Sequence, residues 1–289
     1  MGLGQSGVQL YLELWRKGIL KEVRAVIDIG SQELHITVND FKELLKMYGM
    51  PGYRKEKFLN LENWPAQPRC STKPFYELLG AKEYACIDLN KEHGAIPHDL
   101  NMPLENRSLF GRYDLVTDYG CNEHIFNTSE AYRTMHRLCK SEGIMVIMQT
   151  WYNGNGYYNY DPSFFEGMAA ANGYNVLFTS SRISLNDGNQ YHLPLSNNLL
   201  NIMDRSKLFS MGMCYVLQKT SGDDFRIPYQ GQYLAQSQGA VAFQTEVHFD
   251  PPRRTYVPMY TNDFGNVSGR VLLRILGERI VNKIKRSIR

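Results

Sequence analysis

The residues best suited to chemistry in this chain are four aspartates and one histidine. Asp28, Asp88, Asp99 and Asp118 each lie at or near the end of a short apolar run, within 25–30, 84–90, 96–100 and 113–120. An ionised carboxylate can accept two hydroxyl or amine hydrogens, in charge-assisted bonds worth about 1.5–3 kcal/mol each. His124 follows the last of these runs. Neutral imidazole is available near pH 7 to take a proton from an oxygen or nitrogen nucleophile. Any one of the aspartates alone reads better as a helix cap or a solvated loop residue. Four in succession read as the lining of a single crevice. His124 also has a second reading, in which it holds the loop with Glu123 or starts the next helix.

These groups need elements to hold them. Residues 25–30 read as a buried strand running into a turn at Gly30-Ser31, where a glycine lets backbone approach a ligand closely. A short helix over 8–22 precedes it. Asn39-Asp40 is expected to cap a helix over 41–48, with Gly49 just past its end. The Pro-, Gly- and Trp-rich stretch 49–70 reads as a long irregular loop, a length at which loops are usually functional lids or disordered. Further strands are expected at 84–90, 96–100, 113–118, 143–149, 174–179 and 211–218. Helices are expected at 75–80, 128–140 and 161–171. This alternation predicts an α/β fold: a doubly wound, mostly parallel, seven-stranded Rossmann-like sheet with helices on both faces. Ligands of such sheets bind just past the carboxyl ends of the strands, where Asp28, Asp88, Asp99 and Asp118 would sit.

Charge and cysteine content narrow the function. Residues 270–289 carry seven Lys or Arg against one Glu, whereas the other 269 residues carry 25 Lys or Arg and 28 Asp or Glu. The body is slightly acidic, which argues against a nucleic-acid-binding face. The five cysteines are odd in number with no close pair, so a reducing, cytoplasmic setting is expected. No basic-then-apolar leader opens the sequence. Residues 1–220 are expected to form the main domain, with inserted loops at 49–70 and 181–210. Residues 221–289 form an irregular extension ending in a basic amphipathic helix, whose Leu273, Leu276, Ile280, Ile284 and Ile288 share one stripe. That helix is expected to dock on the body or pair with a second copy, with an acidic membrane surface as the alternative.

The order of these motifs resembles a class I S-adenosylmethionine-dependent methyltransferase over about residues 22–220. Asp28-Ile-Gly30-Ser31 resembles the family's first motif, D/E-x-G-x-G-x-G, although Gln32 and Leu34 stand where further glycines are common. Asp88, followed by Leu89, falls where the family binds the ribose hydroxyls. Asp99-Leu100 falls near the adenine amino group. Asp118-Tyr119-Gly120 through Glu123-His124-Ile125 resembles the fourth-strand motif. Leu138 to Ile144 resembles the turn before the fifth strand. The resemblance implies S-adenosylmethionine as cofactor and Asp28, Gly30, Ser31, Asp88, Leu89, Asp99, Leu100, Asp118 and Tyr119 as its contacts. A dehydrogenase would need a G-x-G-x-x-G turn to cradle a pyrophosphate, and only Gly30 is present.

Positioning supplies much of the rate in methyl transfer, and His124 is the candidate base. Small-RNA 3′-end methyltransferases bind a metal through E-x-x-E-H. The first Glu would fall at Gly120 here, so no metal is expected. After the fifth strand, Trp151, Tyr152, Tyr157 and Tyr158 stand among Asn and Gly. With Glu123 they are candidates for binding a small-molecule acceptor, such as a sugar or polysaccharide precursor, through an oxygen or, second, a nitrogen. Packing beneath the loop is the competing reading for the aromatics. The alternatives are a nucleic-acid methyltransferase and a non-catalytic scaffold of the same fold.

Overall fold

The computed structural model describes residues 2–230 except 188–189 and 197–198. Its strands are β1 (Gly2–Gly4), β2 (Ala25–Ile29), β3 (Glu33–His35), β4 (Glu83–Asp88), β5 (Ile96–Pro97), β6 (Tyr113–Tyr119), β7 (Cys139–Tyr152), β8 (Asn175–Leu185), β9 (Gln190–Leu193) and β10 (Leu208–Gln218). Its helices are α1 (Gln5–Arg16), α2 (Val38–Met47), α3 (Lys73–Leu79), α4 (Thr128–Leu138), α5 (Pro162–Asn172) and the single turn α6 (Leu199–Ile202).

The main sheet has the order β5-β4-β2-β6-β7-β10-β8-β9. From β5 to β7 every pair is parallel. β10 runs antiparallel between β7 and β8, and β9 is antiparallel to β8. All seven expected strands are present. The eighth, β9, comes from the 181–210 stretch read as a loop insert, where the chain folds back on β8 as a hairpin. The chain builds β4 and β5 on one side of β2 and then returns to place β6 on the other. The sheet order therefore reverses between β2 and β6, the position at which such sheets bind ligands.

Side-chain alternation along the strands builds two cores. Val26, Leu115, Val146 and Val216 face α1, α2 and α3. Ile27, Val116, Ile147 and Leu217 face α4 and α5. These eight side chains are at most 1% exposed, each burial contributing about 1.5–3 kcal/mol. The 49–70 loop is irregular but fastened: Phe58, Leu61 and Cys70 are buried in the first core, and Leu34 N–H donates to the Cys70 carbonyl at 2.8 Å.

Helix ends follow local chemistry. Thr37, not Asn39-Asp40, caps α2: its backbone is extended and its hydroxyl accepts from Asp40 N–H at 3.2 Å. Asp161 caps α5, with Pro162 in the first turn and Gly173 closing the helix at φ +64°. α1 begins at Gln5 and ends at Arg16, earlier at both ends than expected. Residues 221–226, assigned from sequence to the extension, pack on the body: Phe225 enters the second core, and Arg226 N–H donates to Asn172 Oδ1 at 2.7 Å. The expected basic helix over 270–289 lies outside the described residues. Among the described residues, no helix is long and apolar enough to cross a membrane.

Candidate functional site

At the carboxyl edge of the sheet, the turn after β2 meets the end of β4. Gly30 takes φ +81°, and its N–H donates to the Ile87 carbonyl at 2.9 Å. Ser31 N–H then donates to Asp88 Oδ2 at 2.8 Å, and Asn90 N–H to Asp88 Oδ1 at 3.2 Å. The Ser31 hydroxyl donates to Asn90 Oδ1 at 2.7 Å. The sequence-predicted Gly30, Ser31 and Asp88 are thus in direct contact. Leu89 beside them is 63% exposed, an apolar surface on the rim. Leu100 is buried in the second core. Asp99 stays on the edge, where the backbone and side-chain N–H groups of Asn101 donate to Oδ1 at 2.9 and 2.8 Å and hold its carboxyl below the usual range.

Asp28 and Asp118 stand apart from these two acids, because both are fully buried. Asp28 points beneath the edge into the first core, where the hydroxyls of Thr72, Thr117 and Tyr84 donate to it. Burial pushes its carboxyl up to about 6 against those donors. Asp118 ties the following turn, accepting from Cys121 N–H at 2.9 Å, Asn122 N–H at 3.3 Å and the Gln149 amide. Burial pushes it up to about 7. The structure thus gives both acids supporting positions beneath the edge, occupied by protein donors. An acid within a strand ending in Asp-x-Gly reads identically whether it faces a ligand or the core.

The turn that Asp118 supports carries Gly120 at φ +76° and presents Glu123 and His124. Glu123 is buried: its Oε2 accepts from Thr150 N–H at 2.8 Å and its carbonyl from Tyr158 N–H at 3.2 Å. Its Oε1 lies 3.8 Å from His124 Nε2, and the His124 side chain is 38% exposed. A fixed carboxylate therefore stands behind an accessible imidazole. The aromatic loop divides by burial. Trp151 is buried in the second core and so is not a rim residue. Tyr152 is half-buried under the Arg205 guanidinium. Tyr158 is half-buried and donates to the Phe126 carbonyl at 2.7 Å. Tyr157 is 72% exposed and stands edge-on to Phe126, itself 74% exposed.

Three features escaped the sequence reading. Phe126 completes the aromatic rim, although it follows the Glu123-His124-Ile125 run directly. Glu33 gathers Arg69 at 3.2 Å and His35 and His93 at 3.3 Å each, from distant parts of the chain. β1 pairs in parallel with β3 and so brings α1 over the edge, where Gly7 lies against the Tyr119 hydroxyl. The glycines of residues 2–7 are the only sequence trace of that close approach.

No protein-family model and no curated protein matches the chain. Its fold is similar to those of solved methyltransferases. A candidate methyltransferase from Bacillus halodurans is 10% identical, covering 74% of this chain and 99% of that one at a TM-score of 0.40. An S-adenosylmethionine-dependent methyltransferase from Archaeoglobus fulgidus is 12% identical, covering 73% and 94% at 0.38. A Burkholderia thailandensis 1,6-didemethyltoxoflavin-N1-methyltransferase, with its substrate and S-adenosylhomocysteine bound, is 11% identical, covering 75% and 80% at 0.34.

Proposed function

We propose that this chain is an S-adenosylmethionine-dependent methyltransferase acting on an oxygen of a small molecule. The observation that carries the reading is the contact of the Gly30-Ser31 turn with Asp88 at the sheet's switch point, 2.8 Å from Ser31 N to Oδ2. That edge offers a carboxylate, a close backbone approach and the exposed side chain of Leu89, but no pyrophosphate cradle. One orphaned polar atom of the turn fits a polar adenosyl group: Gln32 Oε1 is buried with no partner among the described residues.

Bound S-adenosylmethionine supplies an electrophilic methyl carbon on a good leaving group. The chain supplies position and proton transfer. Asp88 holds paired hydroxyls of a ribose, and its backbone donors keep the carboxylate in place. Asp99 Oδ2, which no described donor reaches, accepts from an exocyclic amine. The His124 imidazole takes the acceptor's proton, and Glu123, whose Oε1 lies 3.8 Å from Nε2, stabilises the imidazolium that forms. The Phe126–Tyr157 pair offers flat apolar faces beside it, suited to a sugar or another planar-faced acceptor.

Calorimetric titration with S-adenosylhomocysteine tests the cofactor reading, and absence of binding to the intact chain sinks it. Asp88→Asn still accepts from Ser31 N–H but loses the charge, so affinity should fall about tenfold with an unchanged melt. His124→Ala should bind S-adenosylhomocysteine normally and transfer methyl about 100-fold more slowly. Normal turnover by that variant would remove the base role.

A further inference from the structure

Arg182 on β8 has no charged partner among the described residues, although it is half-buried. Its Nε is buried with no hydrogen-bond partner among the described residues. A cation withdrawn from water normally keeps an acid or hydrogen-bond acceptor beside it. The buried acid of α1, Glu13, is taken by Arg16 at 2.8 Å and Lys17 at 3.8 Å. Glu123, on the loop beyond β6, is held by Thr150 N–H.

The side chain runs past a glycine. Arg182 pairs across β10 with Gly212, at a register shift in the β7–β10 ladder. A Cβ on Gly212 would lie 3.6 Å from Arg182 Nε and 3.4 Å from Met148 Sδ. The guanidinium therefore crosses β10 over the glycine, toward Met148 and its ladder partner Tyr119. Burial pushes the Tyr119 hydroxyl far above its ordinary range, and the Arg182 charge acts against that. That hydroxyl is buried without a partner among the described residues, although Tyr119 is only 7% exposed. Two groups without hydrogen-bond partners among the described residues, the Arg182 Nε–H and the Tyr119 hydroxyl, thus stand on the sheet face that α1 covers.

Arg182 starts from a strand remote from the Gly30–Asp88 edge, whereas Tyr119 ends β6, the strand beside β2. β8 is four strands from β2 in the sheet order, roughly 19 Å at the usual spacing of about 4.8 Å per strand. Tyr119 leads directly into the turn that carries His124. The Tyr119 end of the pair therefore adjoins the turn of the candidate base, where an acceptor must sit.

We propose that the methyl acceptor carries an oxyanion, a carboxylate or a phosphate, bound by the Arg182 guanidinium together with the Tyr119 hydroxyl. Planar guanidinium donors match such groups in two-point fashion. This inference rests on the methyltransferase reading for the identity of the ligand as acceptor, but the anion site itself can be measured separately.

The test is calorimetric titration of the full chain with benzoate, phenyl phosphate and the neutral benzamide, with and without S-adenosylhomocysteine. Wild type should bind at least one of the anions about tenfold or more tightly than benzamide. The better anion identifies carboxylate or phosphate as the source. Arg182→Gln should lose that preference and Arg182→Lys should keep part of it. Equal binding of anions and benzamide by wild type overturns the proposal, as does an intact preference in Arg182→Gln. Arg182→Gln should melt at or above the wild-type temperature, because it removes an unpaired charge. A fall of more than about 5 °C marks a structural guanidinium and also overturns the proposal. Failure of S-adenosylhomocysteine to bind wild type sinks the methyltransferase reading alone, since the anion titration without it still decides the Arg182 site.

Discussion

Asp118 shows how one buried side chain can be tested apart from catalysis. Its carboxyl is pushed from the ordinary aspartate range up to about 7 by burial. Between about pH 4 and 7 the folded chain therefore holds a proton that the unfolded chain has released, so stability falls as pH rises through that window. Asp28, pushed up to about 6, adds to the same fall up to its own value. Asp118→Asn removes its share. The amide can still accept from Cys121 and Asn122, and Gln149 can turn its unpartnered Oε1 to receive the new N–H donors. The variant's melting temperature relative to wild type should rise steadily from pH 4 to pH 7, at most about 1.4 kcal/mol per pH unit. A constant difference across that range would show that Asp118 is ionised throughout.

At the scale of elements, the loop after β7 is fixed to the turn after β6 by close backbone contact. A Cβ on Gly156 would lie 2.5 Å from the Glu123 carbonyl oxygen, which is backbone and has no flexible route of escape. Gly156→Ala should therefore separate the aromatic loop from the Glu123-His124 turn. Its expected signature is a turnover loss of about tenfold or more with S-adenosylhomocysteine affinity unchanged, because the Gly30–Asp88 contact lies elsewhere. Equal losses in both measurements would mean that the two halves of the edge are not independent. This coupling was not legible in the sequence. The run of Tyr, Asn and Gly announces a loop at the ligand-binding edge, but not which backbone it touches.

For the molecule as a whole, the question is where the folded body stops. A boundary at residue 220 suits the composition, since polar sequence follows. The structure instead fastens the next residues. His136 contacts the Asp223 carbonyl at 2.6 Å, Phe225 is buried, and Asn172 bonds both backbone groups of Arg226. A chain cut after residue 220 should melt several degrees below one cut after residue 230, since burying Phe225 alone contributes about 1.5–3 kcal/mol. Equal melts for the two shortened chains would show that the 221–226 contacts add no stability. Liposome flotation with and without residues 270–289 separately tests the basic stripe, and equal flotation removes the membrane alternative.

The sequence by itself determined the alternation of strands and helices, the two-faced burial of the 25–30 strand and the placing of Asp88, Gly30 and His124 near strand ends. These are local properties, since hydrophobic period, cap residues and turn glycines act within a few positions. It also announced the four acids, but it could not divide them. Asp88 and Asp99 stay partly exposed at the edge, whereas Asp28 and Asp118 are fully enclosed, because strand order and helix packing decide which carboxylates are covered. Only the tertiary structure brought Gly7 over Tyr119, Phe126 beside Tyr157 and Arg182 across Gly212. Each of these depends on chain segments that are distant in sequence and share no pattern. Their meeting is set by strand order, which packing decides and no local period records.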